Sequence, residues 1–373
     1  MTDSQKVDNV KKIAVLRASA LGDFIVTLPA LLALRHLYPE AEIVLLGKQW
    51  HQQFVVKGRT AVDRVEIVPV IKGIHSENGY DEDVNEQYLF CRRMQQEEFD
   101  LAIGFHGSGV SANPFLKRLG ARITVGTHCS NADSLDRSVE YYYYQHEVMR
   151  YLEVVSLVGA TTNVFEPRLN VLAEDRAQAN ELLSYLKDKR YVLINPVAND
   201  TRRMWPLENY VRLADALQTE NVEVVFTGST ADRSKVEMII NNMTNPAFNA
   251  CGTSLGGLAA ITANASLMIS PDTGPLHLAQ AVQCPTVGIY WAPNIINWGP
   301  LNRNIHRPVI SWKMECPYCE IVPNNPYPFQ PSTTCKHEVS FVKDITIEEV
   351  LQSAKNLLAI KDSVTRRVLK KMC

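Results

Sequence analysis

Net charge is what this 373-residue sequence has least of: 38 Lys and Arg stand against 40 Asp and Glu, leaving −2 at neutral pH. So even a balance supplies no global basic field, which excludes nucleic acid held by bulk charge and leaves any anionic ligand to local groups. The opening residues, Met1 to Lys12, are polar, and the apolar run that follows is broken by Arg17 and Asp23. That pattern suits neither a secretory leader nor a membrane span of about 20 apolar residues, so the expected location is cytoplasmic. Eight cysteines scattered over this length do not build a small disulfide-stapled domain. Solenoid repeats and low-complexity tracts are missing too. With 46% hydrophobic and 21% charged residues, the composition is that of a packed chain.

What is present is length enough for two domains of ordinary size and hence for a cleft between them. Ile13 to Leu16, Ile43 to Leu46, Val65 to Val68 and Leu101 to Phe105 are short apolar runs with the continuity of strands buried on both faces. Helical stretches such as Ala30 to Leu37 and Glu86 to Phe99 alternate with them. The second half repeats the pattern, with strands at Tyr191 to Ile194, Val222 to Phe226, Leu267 to Ile269 and Thr286 to Tyr290. Repeated βα units predict two open, mostly parallel sheets between helical layers, with the boundary near residue 170. Thr346 and Glu349 form a capping box that starts a final helix, and Ile310 to Pro331, rich in proline and aromatics, reads as an irregular excursion before it.

Chemistry in such sheets collects at the carboxyl ends of strands. The first strand ends in Arg17-Ala18-Ser19-Ala20-Leu21-Gly22-Asp23, where Gly22 permits close backbone approach and Asp23 supplies a carboxylate for a ligand or for a helix N-terminus. Ser270-Pro271-Asp272-Thr273-Gly274-Pro275-Leu276-His277 is a second strand end running into a helix. Its free amides at Thr273 and Gly274 and its helix dipole suit a diphosphate, and Asp272 is a candidate for sugar hydroxyls unless it merely caps the helix with His277 packed one turn on. Arg203, after Asn195-Pro196, is a candidate cation for that diphosphate, and Thr227-Gly228 ends a further strand.

Gly104-Phe105-His106-Gly107-Ser108-Gly109 has the spacing G-x-x-G-x-G rather than that of a dinucleotide fingerprint, so a nicotinamide enzyme is a distant alternative. A glycine-lined acceptor wall touched by His106 is the expectation there, beside the plain alternative of a structural histidine. The four tyrosines Tyr141 to Tyr144 line a surface or pack. Cys316-Pro317-Tyr318-Cys319 and Cys335-Lys336-His337 have ligand types suited to structural zinc, but the compressed second half and the proline-rich interval favour a structural or redox-labile cluster away from catalysis.

Leu16 to Leu31, Arg203-Met204-Trp205-Pro206 and Ser270 to Ala279 together resemble glycosyltransferase family 9, the lipopolysaccharide heptosyltransferases, across about residues 11 to 355. The resemblance implies an α/β GT-B fold of two Rossmann-like domains with an interdomain cleft: an acceptor domain over residues 1–170 and a nucleotide-sugar domain over 171–373. It implies Asp23 as general base of an inverting, metal-independent transfer. Arg203, Thr227, Gly228, Asp272, Thr273, Gly274 and His277 then fall on the donor, and Ser19, Gly22 and His106 on the acceptor. ADP-heptose is the first-choice donor, a glycan or lipid-linked glycan the acceptor, with no cofactor and with peripheral contact at the inner membrane as the accompanying expectation. Arg203 stands where the family more often has lysine and Ala20 where it often has serine, so another sugar nucleotide follows close behind. A silent sugar-nucleotide-binding protein and a sugar-nucleotide epimerase are the rival readings.

Overall fold

Runs such as Ile13 to Leu16 and Tyr191 to Ile194 are wholly buried strands, as continuous apolar segments must be when helices cover both faces of a parallel sheet. The computed structural model describes residues 6–76, 79–186, 189–323 and 335–372. It divides into two compact units, Met1–Asn170 and Val171–Cys373. Among the described residues each unit holds one six-stranded sheet.

In the first unit the strands are β1 (Lys12–Leu16), β2 (Glu42–Gly47), β3 (Arg64–Ile67), β4 (Leu101–Gly104), β5 (Ile123–His128) and β6 (Arg137–Glu140). They pair in parallel in the order β3-β2-β1-β4-β5-β6. The helices are α1 (Leu21–Ile25), α2 (Leu28–Leu37), α3 (Gln49–Phe54), α4 (Val84–Gln95), α5 (Ala112–Arg118) and α6 (Glu147–Ser156). Chain order reverses between β1 and β4, the switch point at which doubly wound sheets open a crevice.

The second unit follows the same plan. Its strands are β7 (Tyr191–Ile194), β8 (Glu223–Phe226), β9 (Phe248–Asn249), β10 (Leu267–Pro271), β11 (Thr286–Trp291) and β12 (His306–Ser311), in the order β12-β11-β10-β7-β8-β9. Helices α7 (Ala173–Tyr185), α8 (Leu207–Gln218), α9 (Arg233–Asn241), α10 (Leu255–Asn264), α11 (Gly274–Ala281), α12 (Ala292–Trp298) and α13 (Ile347–Met372) complete it. Here the reversal lies between β7 and β10. The Thr346 and Glu349 capping box closes as expected, with Glu349 Oε2 accepting from Thr346 N at 2.9 Å. From it α13 lays Val350, Ala354, Leu357 and Leu358 into the core of this unit.

The excursion expected from Ile310 begins later than its composition suggests, because Ile310 and Ser311 still belong to β12, paired with Tyr290 and Trp291. Residues 324–331 of it lie outside the described residues. Strands β5, β6, β9 and β12 carry weaker apolar signals. Edge strands have one neighbour and tolerate polar residues, as in Arg137–Glu140, whose side chains are half-buried or exposed. Among the described residues no helix is long and apolar enough to cross a membrane.

Candidate functional site

At the β1/β4 switch point of the first unit, a buried cation and a half-exposed carboxylate meet. Arg17, at the end of β1, is 6% exposed. Its NH2 lies 3.1 Å from Asp23 Oδ1, and its Nε donates to the main-chain oxygen of Asp23 at 3.0 Å. Its NH1 donates to the Phe105 carbonyl beyond β4, so the guanidinium ties the two sides of the switch point together. Asp23 is the third residue of α1, and its Oδ2 also accepts the Ala20 N–H at 3.2 Å. The helix-terminal role is therefore filled by a carboxylate that solvent still reaches, since the side chain keeps 31% of its surface exposed.

Arg17 rests over the Tyr151 ring, 5.3 Å from its centroid. The Tyr151 hydroxyl donates to Glu147, whose other oxygen holds Arg150 Nε at 3.0 Å. Burial alone would lower the Arg17 pKa, but Tyr151, Asp23 and Glu147 outweigh it and the guanidinium stays above its ordinary value. The cation is permanent, and it fixes the Asp23 carboxylate in place.

His106 is held by a hydrogen bond between Nε2 and the Gly73 carbonyl at 3.0 Å. Burial, with Arg17 close by, pushes its pKa down to about 4, so at neutral pH the ring is neutral. A carbonyl partner requires the proton on Nε2, which leaves the buried Nδ1 as an acceptor without a partner among the described residues. Ser19 has a buried hydroxyl with no partner among the described residues, and its carbonyl accepts from Trp50 Nε1 at 3.2 Å. Gly22 is buried in α1. Gly109 turns the chain at φ +91, where an added Cβ would come within 2.5 Å of the Thr127 carbonyl oxygen, so this glycine serves the backbone turn. Of the tyrosine run, Tyr142 and Tyr144 are exposed while the ring of Tyr141 packs under Arg150 at 4.2 Å.

Sequence reasoning missed His51. It is fully buried beneath Trp50, with ring centroids 3.7 Å apart, and meets Phe24 of α1 edge-on. Burial, with Lys48 and Arg17 nearby, pushes it down to about 3. A carboxyl-end position after β2 was the one available signal.

In the second unit, the β7/β10 switch point brings together Arg203 and the β10–α11 turn. Asp272 is 2% exposed. Its Oδ1 takes His277 Nε2 at 3.1 Å and its Oδ2 takes Asn294 Nδ2 at 2.6 Å. Arg203 NH1 lies 2.9 Å from the Asp272 main-chain oxygen and 3.6 Å from Oδ2. Burial would raise the Asp272 pKa, but His277, Arg203 and Asn294 overcome it and hold the carboxyl below its usual range. The N-cap of α11 is Thr273 rather than Asp272, in extended geometry without a side-chain cap. Pro275 has no N–H and Leu276 N–H already donates to Thr273 O at 3.0 Å, so the amides of Thr273 and Gly274 are the ones the helix itself leaves without an acceptor, and the Asp272 oxygens are already engaged by three side chains.

Thr227 is buried and its N–H donates to Ile194 O at 2.8 Å. Gly228 follows, where a Cβ would stand 3.0 Å from Asp232 Cβ and 3.3 Å from Cys251 Sγ, so close packing of the loop accounts for this glycine. Cys316, Cys319, Cys335 and His337 also converge in this unit, with ligand atoms all within 4.8 Å of one another. The compressed spacing is no obstacle to their meeting.

The family model described as glycosyltransferase family 9 (heptosyltransferase) matches residues 88–319. The lipopolysaccharide core heptosyltransferase OpsX of Haemophilus influenzae is 22% identical over 303 residues, covering 79% of this chain and 82% of that protein. A glycosyl transferase family 9 structure from Veillonella parvula superposes with a TM-score of 0.75 at 22% identity, covering 94% of this chain and 97% of that one. The ADP-heptose lipopolysaccharide heptosyltransferase II of Escherichia coli gives a TM-score of 0.71 at 18% identity, covering 94% and 99%. The fold is thus the GT-B type, two Rossmann-like units of parallel six-stranded sheets.

Proposed function

The chain belongs to glycosyltransferase family 9, and from that membership we propose that it transfers heptose from ADP-heptose to a lipopolysaccharide-core or related cell-envelope glycan, with inversion at the anomeric carbon. The observation that carries the reading is the Arg203–Asp272 pair at the N-terminus of α11, which sets a fixed cation beside the start of the helix at Thr273 and Gly274. That is an environment for the charge that develops on a departing nucleoside diphosphate. The likeness to an ADP-heptose-dependent relative names the first donor to try.

In this reading the acceptor oxygen attacks the anomeric carbon while Asp23 takes its proton, and the bond from that carbon to the diphosphate oxygen breaks on the opposite face. Arg203 and the Thr273 and Gly274 amides receive the leaving charge, so the chemical step needs no metal ion. Asp272 acts on the donor through the groups it holds, Arg203 and His277, and Thr227 with Gly228 forms the neighbouring wall. On the acceptor side, Ser19 Oγ and His106 Nδ1 are the groups offered to hydroxyls, with Gly22 of α1 as the small residue beside them. The first 170 residues carry the acceptor and the remainder the nucleotide sugar. An acceptor on a lipid anchor brings the protein to the inner face of the membrane as a peripheral visitor.

The test pairs binding with transfer. ADP-, GDP-, UDP- and dTDP-sugars are screened by thermal shift, since a ligand of the native state raises its apparent stability. ADP-heptose is then offered with heptose-deficient core acceptors. Stabilisation by ADP-heptose with no transfer to any glycan would favour the silent binder, and a changed sugar in the absence of acceptor would favour the epimerase.

A further inference from the structure

Three cysteines and one histidine from two separate stretches of the second unit stand around a common centre. Cys316 and Cys319 follow β12, and Cys335 and His337 precede α13. All three thiols are free of disulfides. His337 Nδ1 lies 3.6 Å from Cys316 Sγ and 3.9 Å from Cys335 Sγ. A tetrahedral ion with metal–sulfur bonds of about 2.3 Å and a metal–nitrogen bond of about 2.1 Å separates sulfur from nitrogen by about 3.6 Å. The observed spacings are those of such a ligand shell, loosened slightly at Cys335.

The local backbone is shaped for thiolates. The amides of Tyr318 and Cys319 point at the Cys316 sulfur, and that of Ile321 at the Cys319 sulfur. The turn itself is closed by Glu320 N to Cys316 O and Cys316 N to Ile321 O, both 2.8 Å, with Glu320 at φ +58. Amides aimed at sulfur compensate the negative charge that three coordinated thiolates bring to one ion. Cys316 is 1% exposed, while His337 is exposed and flanked by the Tyr318 ring at 5.2 Å, so the cluster has a buried floor and an open edge for entry.

We propose that Cys316, Cys319, Cys335 and His337 bind one thiophilic transition-metal ion, zinc(II) or iron, in a closed four-coordinate structural site. Its ligand set is complete without water, which distinguishes it from a catalytic centre. Binding displaces the three thiol protons and leaves every ligand on the ion.

The site also bears on the donor pocket. Just beyond His337, Phe341 N–H donates to Arg202 O at 2.8 Å, Ser340 Oγ to Met204 O at 2.5 Å, and Trp205 Nε1 to Ile345 O at 2.9 Å. The stretch 340–345 is therefore the clamp on both sides of Arg203, and the ion pins one end of that clamp to the turn after β12. This second consequence rests on the proposed role of Arg203. The metal site itself does not.

The experiment measures metal on the full-length protein purified without chelators, then follows anaerobic addition of zinc(II), iron(II) or cobalt(II) to the reduced apoprotein. One equivalent of zinc, or one of iron with thiolate-to-iron absorption, is expected, and either identifies the ion. Cobalt(II) should give the thiolate charge-transfer band and strong visible bands of a tetrahedral site. Cys335→Ser and His337→Ala should lose most of the bound metal and lower the melting temperature, whereas Cys129→Ser should change neither. Failure of the reduced wild-type chain to take up any of the three metals would overturn the site, as would metal retained in full by both ligand variants. These readouts need no sugar nucleotide, so they stand or fall apart from the transferase reading.

Discussion

Arg203 places NH1 2.9 Å from the main-chain oxygen of Asp272 and 3.6 Å from its Oδ2, while its buried Nε has no partner among the described residues. NH1 is therefore spent on orientation, and in the proposed reading the rest of the guanidinium meets the donor diphosphate. Arg203→Ala should weaken binding of ADP-heptose, or of ADP alone, by roughly 10- to 100-fold, the range for losing a charge-assisted hydrogen bond. Arg203→Lys, the residue more often found there in the family, should recover part of that loss but not the two-sided geometry. Titration calorimetry of both variants checks this, and unchanged affinity in the alanine variant would remove Arg203 from the donor site.

Transfer should proceed without added divalent cation, because the leaving charge is met by Arg203 and helix amides. The assay is run with EDTA after measuring the tightly held metal content, so that a structural ion at the cysteine cluster is known to be retained. Lost activity that magnesium or manganese specifically restores would contradict the proposed chemistry.

How much of this was legible in the sequence depends on what carried the signal. The core strands were read nearly to the residue, as at Tyr191–Ile194, because strands buried on both faces must be continuously apolar. Edge strands such as Arg137–Glu140 were not, since half-exposed positions impose no such pattern. Asp272 and His277 stand in one sequence motif and Arg203 in another, and the structure brings Arg203 and His277 onto the same carboxylate. What the sequence could not disclose is that Asp272 is saturated, because the Asn294 contact spans 22 residues and depends on where α12 starts. Arg17 reads in the sequence as a break in an apolar run and as the first residue of the motif after β1, with no role of its own. Its role as the buried partner of Asp23 depends on β4 passing close by.

Stability should fall as pH drops from about 7 toward 4. His51 is pushed down to about 3 and His106 and His306 to about 4, chiefly by burial, so the native state stays neutral where the unfolded chain, near its ordinary value of 6.5, takes up protons. The unfolded state binds more protons through that window, which makes stability rise with pH across it and flatten above the ordinary value. For the buried rings of His51 and His306 the slope approaches about 1.4 kcal/mol per pH unit each. Melting temperatures of wild type and His306→Asn between pH 4 and 7.5 test this. A shallower slope in the variant is expected, and an identical one would mean that His306 protonates in the folded protein.

Asp23 is the proposed base, and its geometry gives it two other duties that the test must separate from catalysis. It accepts the Ala20 N–H at the start of α1 and pairs with Arg17. Asparagine keeps the first, because its carbonyl oxygen accepts equally well there. It loses the second, but Arg17 retains the carbonyls of Asp23 and Phe105, and the carboxylate it loses is 31% exposed and screened by solvent. The expected loss of stability in Asp23→Asn is therefore about 1 to 3 kcal/mol. Loss of a general base costs about 10²- to 10⁴-fold in rate. Turnover, donor affinity and melting temperature measured on the same preparation decide between the roles. A base predicts collapsed turnover with donor binding kept and a small drop in melting temperature. Turnover reduced only in proportion to lost folded protein would assign Asp23 to holding Arg17 and the start of α1, and another group would have to take the proton.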